Sequence, residues 1–430
     1  MYNHLKFPRT PDSFTQKVLQ VVRENMETDV NKAEKEETRL NAAYGKKEET
    51  ILKNLYENEN EKKERKNNAW KKKAVAAALA LTVVGVGGFT VHAVVDSLVK
   101  VRMESMSQEE KTQYVEEVDS MMEDASTYSR ELTQEEKERE RELSIAYHQD
   151  GRFPEGELKR VEDESEVDRD MLCFAPKNFY FYLPERTLTD EELLQIIDYQ
   201  NKVNYALTER YENTYGEEIA ARKADAEETK QNVEANGGLT DEEAVAKARE
   251  WLDKLYGKTV EGMEVSCAID TEGLGTKELP TYEVKFSFAD VDTYTFTIDA
   301  TDGSLIEALY SGKELSAEEM SVSDGEAKAE ALSQTAEKYL RDTFGISQEC
   351  REVYYAYNTD ENNTVLNNMM VFQFVMEDNM TYAVALDCMD GVLEVYKVQD
   401  YAAWQKNLET EKELAQKGVM NYEVVRNQLR

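Results

Sequence analysis

The chain writes one phrase twice, and that constrains its fold more than any other feature. TYTFTIDATDGSLIE begins at Thr293, and 88 residues later TYAVALDCMDGVLEV begins at Thr381. Thr293, Tyr294, Asp299, Asp302, Gly303 and Leu305 recur as Thr381, Tyr382, Asp387, Asp390, Gly391 and Leu393. The same offset of 88 carries Trp251, Leu252, Tyr256 and Gly257 onto Tyr339, Leu340, Phe344 and Gly345, and Val284 and Phe286 onto Phe372 and Phe374. An offset kept without net insertion over such a span is the mark of a duplicated unit.

Each copy opens with apolar residues at helical spacing, and the helix should stop at Gly257 or Gly345, where a left-handed cap suits glycine. Runs of alternating apolar and polar residues follow at 263–269, 281–288, 293–299 and 304–310, and again in the second copy. Alternation of this kind predicts a sheet with one face packed on the helix and one face wet. Asp302-Gly303 and Asp390-Gly391 supply hairpin turns that need positive φ. The expected fold is therefore α+β, with two tandem modules, each a helix on its own four-stranded antiparallel sheet.

The rest of the chain is uneven. Residues 1–73 hold 17 Lys+Arg against 13 Asp+Glu, residues 74–95 hold no charge, and the remainder holds 35 against 75, within a total of −36. So acidic a body repels phosphate, and no nucleic-acid partner is expected. The 22 residues of AVAAALALTVVGVGGFTVHAVV, 74–95, would span roughly 33 Å as a helix, enough for a bilayer core. Lys62, Lys63, Arg65, Lys66, Lys71, Lys72 and Lys73 precede this stretch, while only Lys100, Arg102 and Lys111 follow closely. That asymmetry predicts a single-pass membrane protein with a cytoplasmic N-terminus and an extracytoplasmic C-terminal region. The boundaries expected are a cytoplasmic helix and tether at 1–73, a transmembrane helix at 74–95, a mostly helical region at 96–235, modules at 236–312 and 313–398, and a C-terminal helix at 399–430.

Within 1–73, Phe14, Val18, Val21, Val22 and Met26 share one helical face. They read either as a surface that lies on the membrane or packs on itself, or as a docking helix for a cytoplasmic partner. Further on, an apolar residue, then Ser or Thr, then Glu three residues later recurs at Ser107, Thr133, Thr189, Thr240 and Ser316, which predicts five capping boxes. Residues 171–174 and 179–183 read as two short strands, residues 216–238 as a charged linker ending in Gly237-Gly238, and His148 as part of a surface loop.

No constellation for catalysis stands out. Cys173, Cys267, Cys350 and Cys388 show no metal-ligand spacing, there are three histidines, and no nucleophile elbow, zinc-protease helix or phosphate loop is present. Asp299, Asp302, Asp387 and Asp390 offer two carboxylates per turn, too few for the six to eight oxygens of calcium, and fit a turn in which Asp accepts backbone amides. The expectation is a non-enzymatic protein with no cofactor and no metal, whose thiols are free and mostly buried. If the copies bind anything, specificity should lie where they differ, as at Ala300 against Cys388 or Cys267 against Tyr355.

The helix followed by strands and Y-x-x-x-[IL]-D-x-x-D-G-x-[LI] resembles the PepSY module of bacterial envelope proteins, over about 239–310 and 321–398. The resemblance implies an extracytoplasmic module that binds or inhibits a peptidase. The layout of a short Phe-bearing helix, basic flank, span and external region resembles membrane-bound anti-sigma factors of Gram-positive bacteria, although residues 1–73 contain no Cys and only His4. That second resemblance implies a sensor signalling through residues 1–30 to a sigma factor. The alternative is an envelope protein that binds an extracellular peptide or peptidase without signalling.

Overall fold

The computed structural model describes residues 97–119, 128–162, 164–270, 280–312, 320–359, 363–416 and 423–429. In chain order these hold α1 (Ser97–Glu104), α2 (Gln108–Asp119), α3 (Gln134–Asp150), β1 (Lys159–Arg160), β2 (Cys173–Ala175), β3 (Tyr180–Tyr182), α4 (Asp190–Ala235), α5 (Asp241–Tyr256), β4 (Glu264–Asp270), β5 (Thr281–Phe288), β6 (Asp292–Asp299), β7 (Leu305–Gly312), α6 (Val322–Lys338), β8 (Cys350–Thr359), β9 (Met369–Met376), β10 (Met380–Asp387), β11 (Leu393–Asp400), α7 (Tyr401–Gln416) and β12 (Glu423–Gln428). They fall into two compact units, one from Arg102–Leu132 and Phe153–Gly216, the other chiefly from Thr133–Arg152 and Glu217–Arg430.

In the first unit, β1, β2 and β3 form a small sheet. Phe174 packs 4.7 Å from Phe181 and 4.5 Å from Tyr199, ring centre to ring centre. Thr189 caps α4, and Glu192 does more than complete that capping box. Its carboxylate receives the Thr189 amide at 2.9 Å and the Leu172 amide at 3.0 Å, and the Arg186 guanidinium grips both oxygens at 2.7 and 2.8 Å. Burial alone would raise the carboxyl pKa. The Arg186 and amide hydrogen bonds outweigh that and hold it at about 2.

The second unit is built on one nine-stranded sheet, in the order β12-β8-β9-β10-β11-β7-β6-β5-β4. This corrects the expected fold class: the two copies do not keep separate four-stranded sheets. The repeat itself is faithful, since β5, β6 and β7 shifted by 88 residues coincide with β9, β10 and β11. Even the register break recurs, at Thr297/Ile298 and at Ala385/Leu386. The copies join through their last strands, with Tyr396 opposite Ala308 in the antiparallel β11–β7 pair. These two residues are repeat counterparts, so a local two-fold axis passes through them, normal to the sheet. Such an axis keeps α5 and α6 on the same face. There they share one apolar core, which includes Ala248 and Leu252 from α5, Ala336 from α6, and Phe286, Phe296, Phe372 and Phe374 from the strands.

The opposite face of the second copy carries α7, whose Trp404 lies 5.5 Å from Tyr354. The sequence past 399 is thus not one helix: α7 is followed by β12, which pairs with the outer edge of β8. Edge strands tend to be covered or paired. On the first copy, α3 meets the β5–β6 hairpin, where Ala289 and Asp290 both have positive φ. Arg141 pairs with Asp292 at 2.6 Å, Ser144 donates to the Ala289 carbonyl at 3.1 Å, and His148 sits 3.2 Å from Asp290. His148 is therefore in a helix, not a loop, and Gly151 provides the left-handed cap one residue past the helix end. Residues 216–235 are likewise helical: α4 continues to Ala235, departing from helical angles at Tyr215.

Four of the five expected capping residues, Ser107, Thr133, Thr189 and Thr240, make both reciprocal bonds. Ser316 lies outside the described residues, and α6 starts instead from Ser321. No helix among the described residues is long and apolar enough to cross a membrane. The span expected at 74–95 lies outside them.

Two outcomes follow from this packing. Glu192→Gln should cost the folded protein about 2 kcal/mol at pH 7 by leaving Arg186 and two amides poorly matched. Because the folded carboxyl sits below its unfolded value, that stabilisation is complete above about pH 4.5 and fades as pH falls toward 2. Urea unfolding of both proteins at pH 7 and pH 3 should show the gap narrowing. Tyr396→Ala at the axis should cost about 3–5 kcal/mol through the cavity it leaves, read from the urea midpoint.

Candidate functional site

The local two-fold axis would produce two equivalent depressions, one on each side of the seam. Only one is open. It is a groove of about 600 Å3, formed by Trp251 of α5, the Asp299–Ile306 turn of the first copy, Phe344 and Ile346 after α6, and Met380, Tyr382, Tyr396, Val398 and Asp400 of the second copy. Its floor is aromatic. Phe344 stacks on Tyr396 at 3.8 Å between ring centres, Trp251 stands 5.7 Å from Phe344, and Tyr382 is 6.4 Å from Tyr396.

The counterpart depression is filled by the chain's own side chains. There Tyr256, Tyr294 and Tyr310 occupy the places of Phe344, Tyr382 and Val398, with ring centres 4.8–5.6 Å apart. The Tyr310 hydroxyl donates to Asp292 at 3.0 Å, and Asp292 stands where the second copy has Met380. Gly312 permits this arrangement, because a Cβ there would overlap the Tyr310 ring and hydroxyl. The second copy has Asp400 at that position, so a tyrosine at 398 could not lie as Tyr310 does. Asp292, Tyr310 and Gly312 close one side; Met380, Val398 and Asp400 leave the other open. Burial pushes the hydroxyls of Tyr256, Tyr294 and Tyr310 upward, that of Tyr294 to about 12.

Carboxylates from both copies reach the groove. Asp299 is 7% exposed, and its Oδ1 accepts the Thr301 amide at 2.7 Å and the Thr301 hydroxyl at 2.5 Å. Asp302 accepts the Ser304 amide at 2.8 Å, and Asp400 caps α7 through the Ala403 amide at 2.7 Å. Asp387 and Asp390 repeat the turn pattern in the second copy, accepting the Met389 and Val392 amides. The aspartates of the repeated phrase therefore bind their own turn amides, as the sequence suggested. Gly303 and Gly391 take the positive φ that the turn requires, at 77° and 74°.

Of the residues weighed as functional from the sequence, Asp299 and Asp302 line this groove. Phe14, Val18, Val21, Val22 and Met26 lie outside the described residues. Ala300, Cys267 and Tyr355 do not line the groove, and Cys388 lines a separate depression of about 250 Å3 beside Lys328 and Thr335. Cys173, Cys267 and Cys388 are buried thiols, and burial raises Cys388 to about 12, far from thiolate character at neutral pH. The missed signal was available: at the offset of 88, Tyr310 against Val398 and Gly312 against Asp400 are differences of volume within matched strands.

Residues 238–309 match the family model described as "Peptidase propeptide and YPEB domain". This stretch is a PepSY domain. The match covers the first copy from the start of its helix to the middle of β7, and the second copy repeats that PepSY architecture strand for strand. Among solved structures, the chain is similar to the Bacillus megaterium YpeB C-terminal domain at 18% identity and a TM-score of 0.26, over 38% of this chain and 65% of that one. Less than two thirds of that structure is thus spanned. No curated protein matches the chain.

If the groove is open only because Val398 and Asp400 replace tyrosine and glycine, then V398Y/D400G should close it. Its unfolding free energy should stay within about 2 kcal/mol of the parent, because the added ring fills open space while the tyrosine lacks the Asp292 anchor and α7 loses its Asp400 cap. A urea titration checks the stability, and a crystal structure checks that the added ring lies over residue 400.

Proposed function

We propose that this chain is a non-enzymatic binding protein whose joined PepSY copies hold an extended peptide, or a projecting segment of a peptidase, in the seam groove, and so act outside the cytoplasm to restrain or regulate that peptidase. The observation that carries the reading is the asymmetry of the seam. Two copies that agree strand for strand differ in volume where one depression is filled and the other is open. Scaffold alone gives no reason to keep the second side empty, since burying the tyrosine stabilises the first. The family description of the PepSY segment as a peptidase propeptide domain supports a peptidase or peptide as the occupant. An aromatic-lined, partly polar concavity is the usual form of such a site.

The groove lining contains carboxylates, one serine and apolar or aromatic groups, but no histidine, lysine or cysteine. That is a set suited to holding a ligand. Full-length protein immobilised and exposed to a defined casein digest should retain a subset of peptides and release them intact by mass spectrometry. V398Y/D400G should lose most of that retention. Equal retention by the closed variant would overturn the groove as the site, and cleaved peptides would overturn the non-enzymatic reading.

A further inference from the structure

The chemistry of the groove is more specific than a general peptide cleft. The carboxylates that line it come from both sides of the seam, and the lining contains no lysine or arginine. Asp299 is 7% exposed and lines the groove, yet only its Oδ1 is used, by the Thr301 amide and hydroxyl. Its Oδ2 accepts from no group among the described residues. Asp400 is half-buried: its Oδ1 caps α7, and its Oδ2 has no partner among the described residues. Neither of these two oxygens is sealed from solvent, so both are open to accept from a cation placed in the groove.

The aromatic lining points the same way. Trp251 and Tyr382 line the groove beside the stacked Phe344–Tyr396 pair, and aromatic rings attract cations through their quadrupoles. Trp251 already shows this preference within the chain, since the Lys254 ammonium stands 4.6 Å from its ring centre. The counterpart side keeps carboxylates, at Asp292, Asp387, Asp390 and Glu394, but not the space. Lys258 replaces Ile346 there, Gly312 replaces Asp400, and three tyrosines fill the space. The net charge of −36 adds a long-range field that draws cationic segments toward the surface.

We infer that the seam groove selects a basic side chain, arginine before lysine, carried in an extended apolar segment of a peptide or peptidase. The guanidinium lies among the rings and pairs with the free oxygens of Asp299 and Asp400, while the flanking residues lie along Ile306, Ile346 and Val398. Arginine ranks first because its planar group both stacks on rings and bridges two carboxylates. The inference rests on the groove being the peptide site.

The test uses full-length protein and fluorescein-labelled Gly-Ala-Leu-Xaa-Leu-Ala-Gly peptides, with Xaa as arginine, lysine, norleucine or glutamate, read by anisotropy. Arginine and lysine peptides should bind about tenfold or more tightly than norleucine, with glutamate weakest. Asp299→Asn keeps the acceptor for Thr301 and should bring the ratio of arginine-peptide to norleucine-peptide affinity down to about twofold or less. V398Y/D400G should weaken all four peptides. Equal affinity of the arginine and norleucine peptides, with both lost on closure, would overturn the basic preference and leave the groove as the binding site. Binding unaffected by closure, or no binding of any peptide, would overturn both.

Discussion

The antiparallel pairing of β7 with β11 is the constraint on which the second unit depends. It brings the last strands of two homologous copies together with Ala308 facing its own counterpart, Tyr396. Two-fold axes through like strands are what joins identical subunits in symmetric dimers, where each partner offers the same surface. Here one chain supplies both partners, so the two surfaces are free to differ. The small residue on one side of the axis leaves room for the large one on the other, and Phe344 stacks on the ring thus placed. Had the copies kept separate sheets, α5 and α6 would have no common core and Trp251 would have no Phe344 to meet.

Joining by edges also explains how the remaining segments are used. A nine-stranded sheet still has two ends and two faces to satisfy. The C-terminal segment deals with one of each: α7 packs on the face opposite α6, and β12 pairs along β8. The helix α3 meets the β5–β6 hairpin of the first copy, where a turn with two non-glycine residues at positive φ is held by Arg141, Ser144 and His148. Such a turn is strained on its own and persists where its surroundings fix it. The second copy has no such pair, and only Asn379 is left-handed at that hairpin.

The groove exists where the symmetry of the two copies fails. A duplicated scaffold begins with two equal depressions beside its axis. One has been filled by a tyrosine that a glycine admits and an aspartate anchors. The other has kept its volume by carrying valine, aspartate and methionine at the same three positions. The groove is therefore a property of neither copy alone. Its walls are supplied by both, with the Asp299–Ile306 turn on one side and the strands around Tyr396 on the other.

The amino-acid sequence by itself determined the duplication, the strand boundaries, the Asp-Gly turns and four capping boxes, because each is written in local patterns: a fixed offset, alternation with period two, or three-residue spacing. It also showed that the aspartates of the repeated phrase serve their own amides. It did not determine how the copies meet. Alternation along a strand says which face is buried but nothing about which strand lies alongside, and β7 and β11 are joined by pairing across 80 or so residues of chain. The linker expected at 216–238 proved helical as far as Ala235, since a charged surface helix and a charged linker share one composition. Only the tertiary structure decided that Trp251, Phe344, Val398 and Asp400 surround one space, because that space exists through differences of side-chain volume at positions that sequence order keeps far apart.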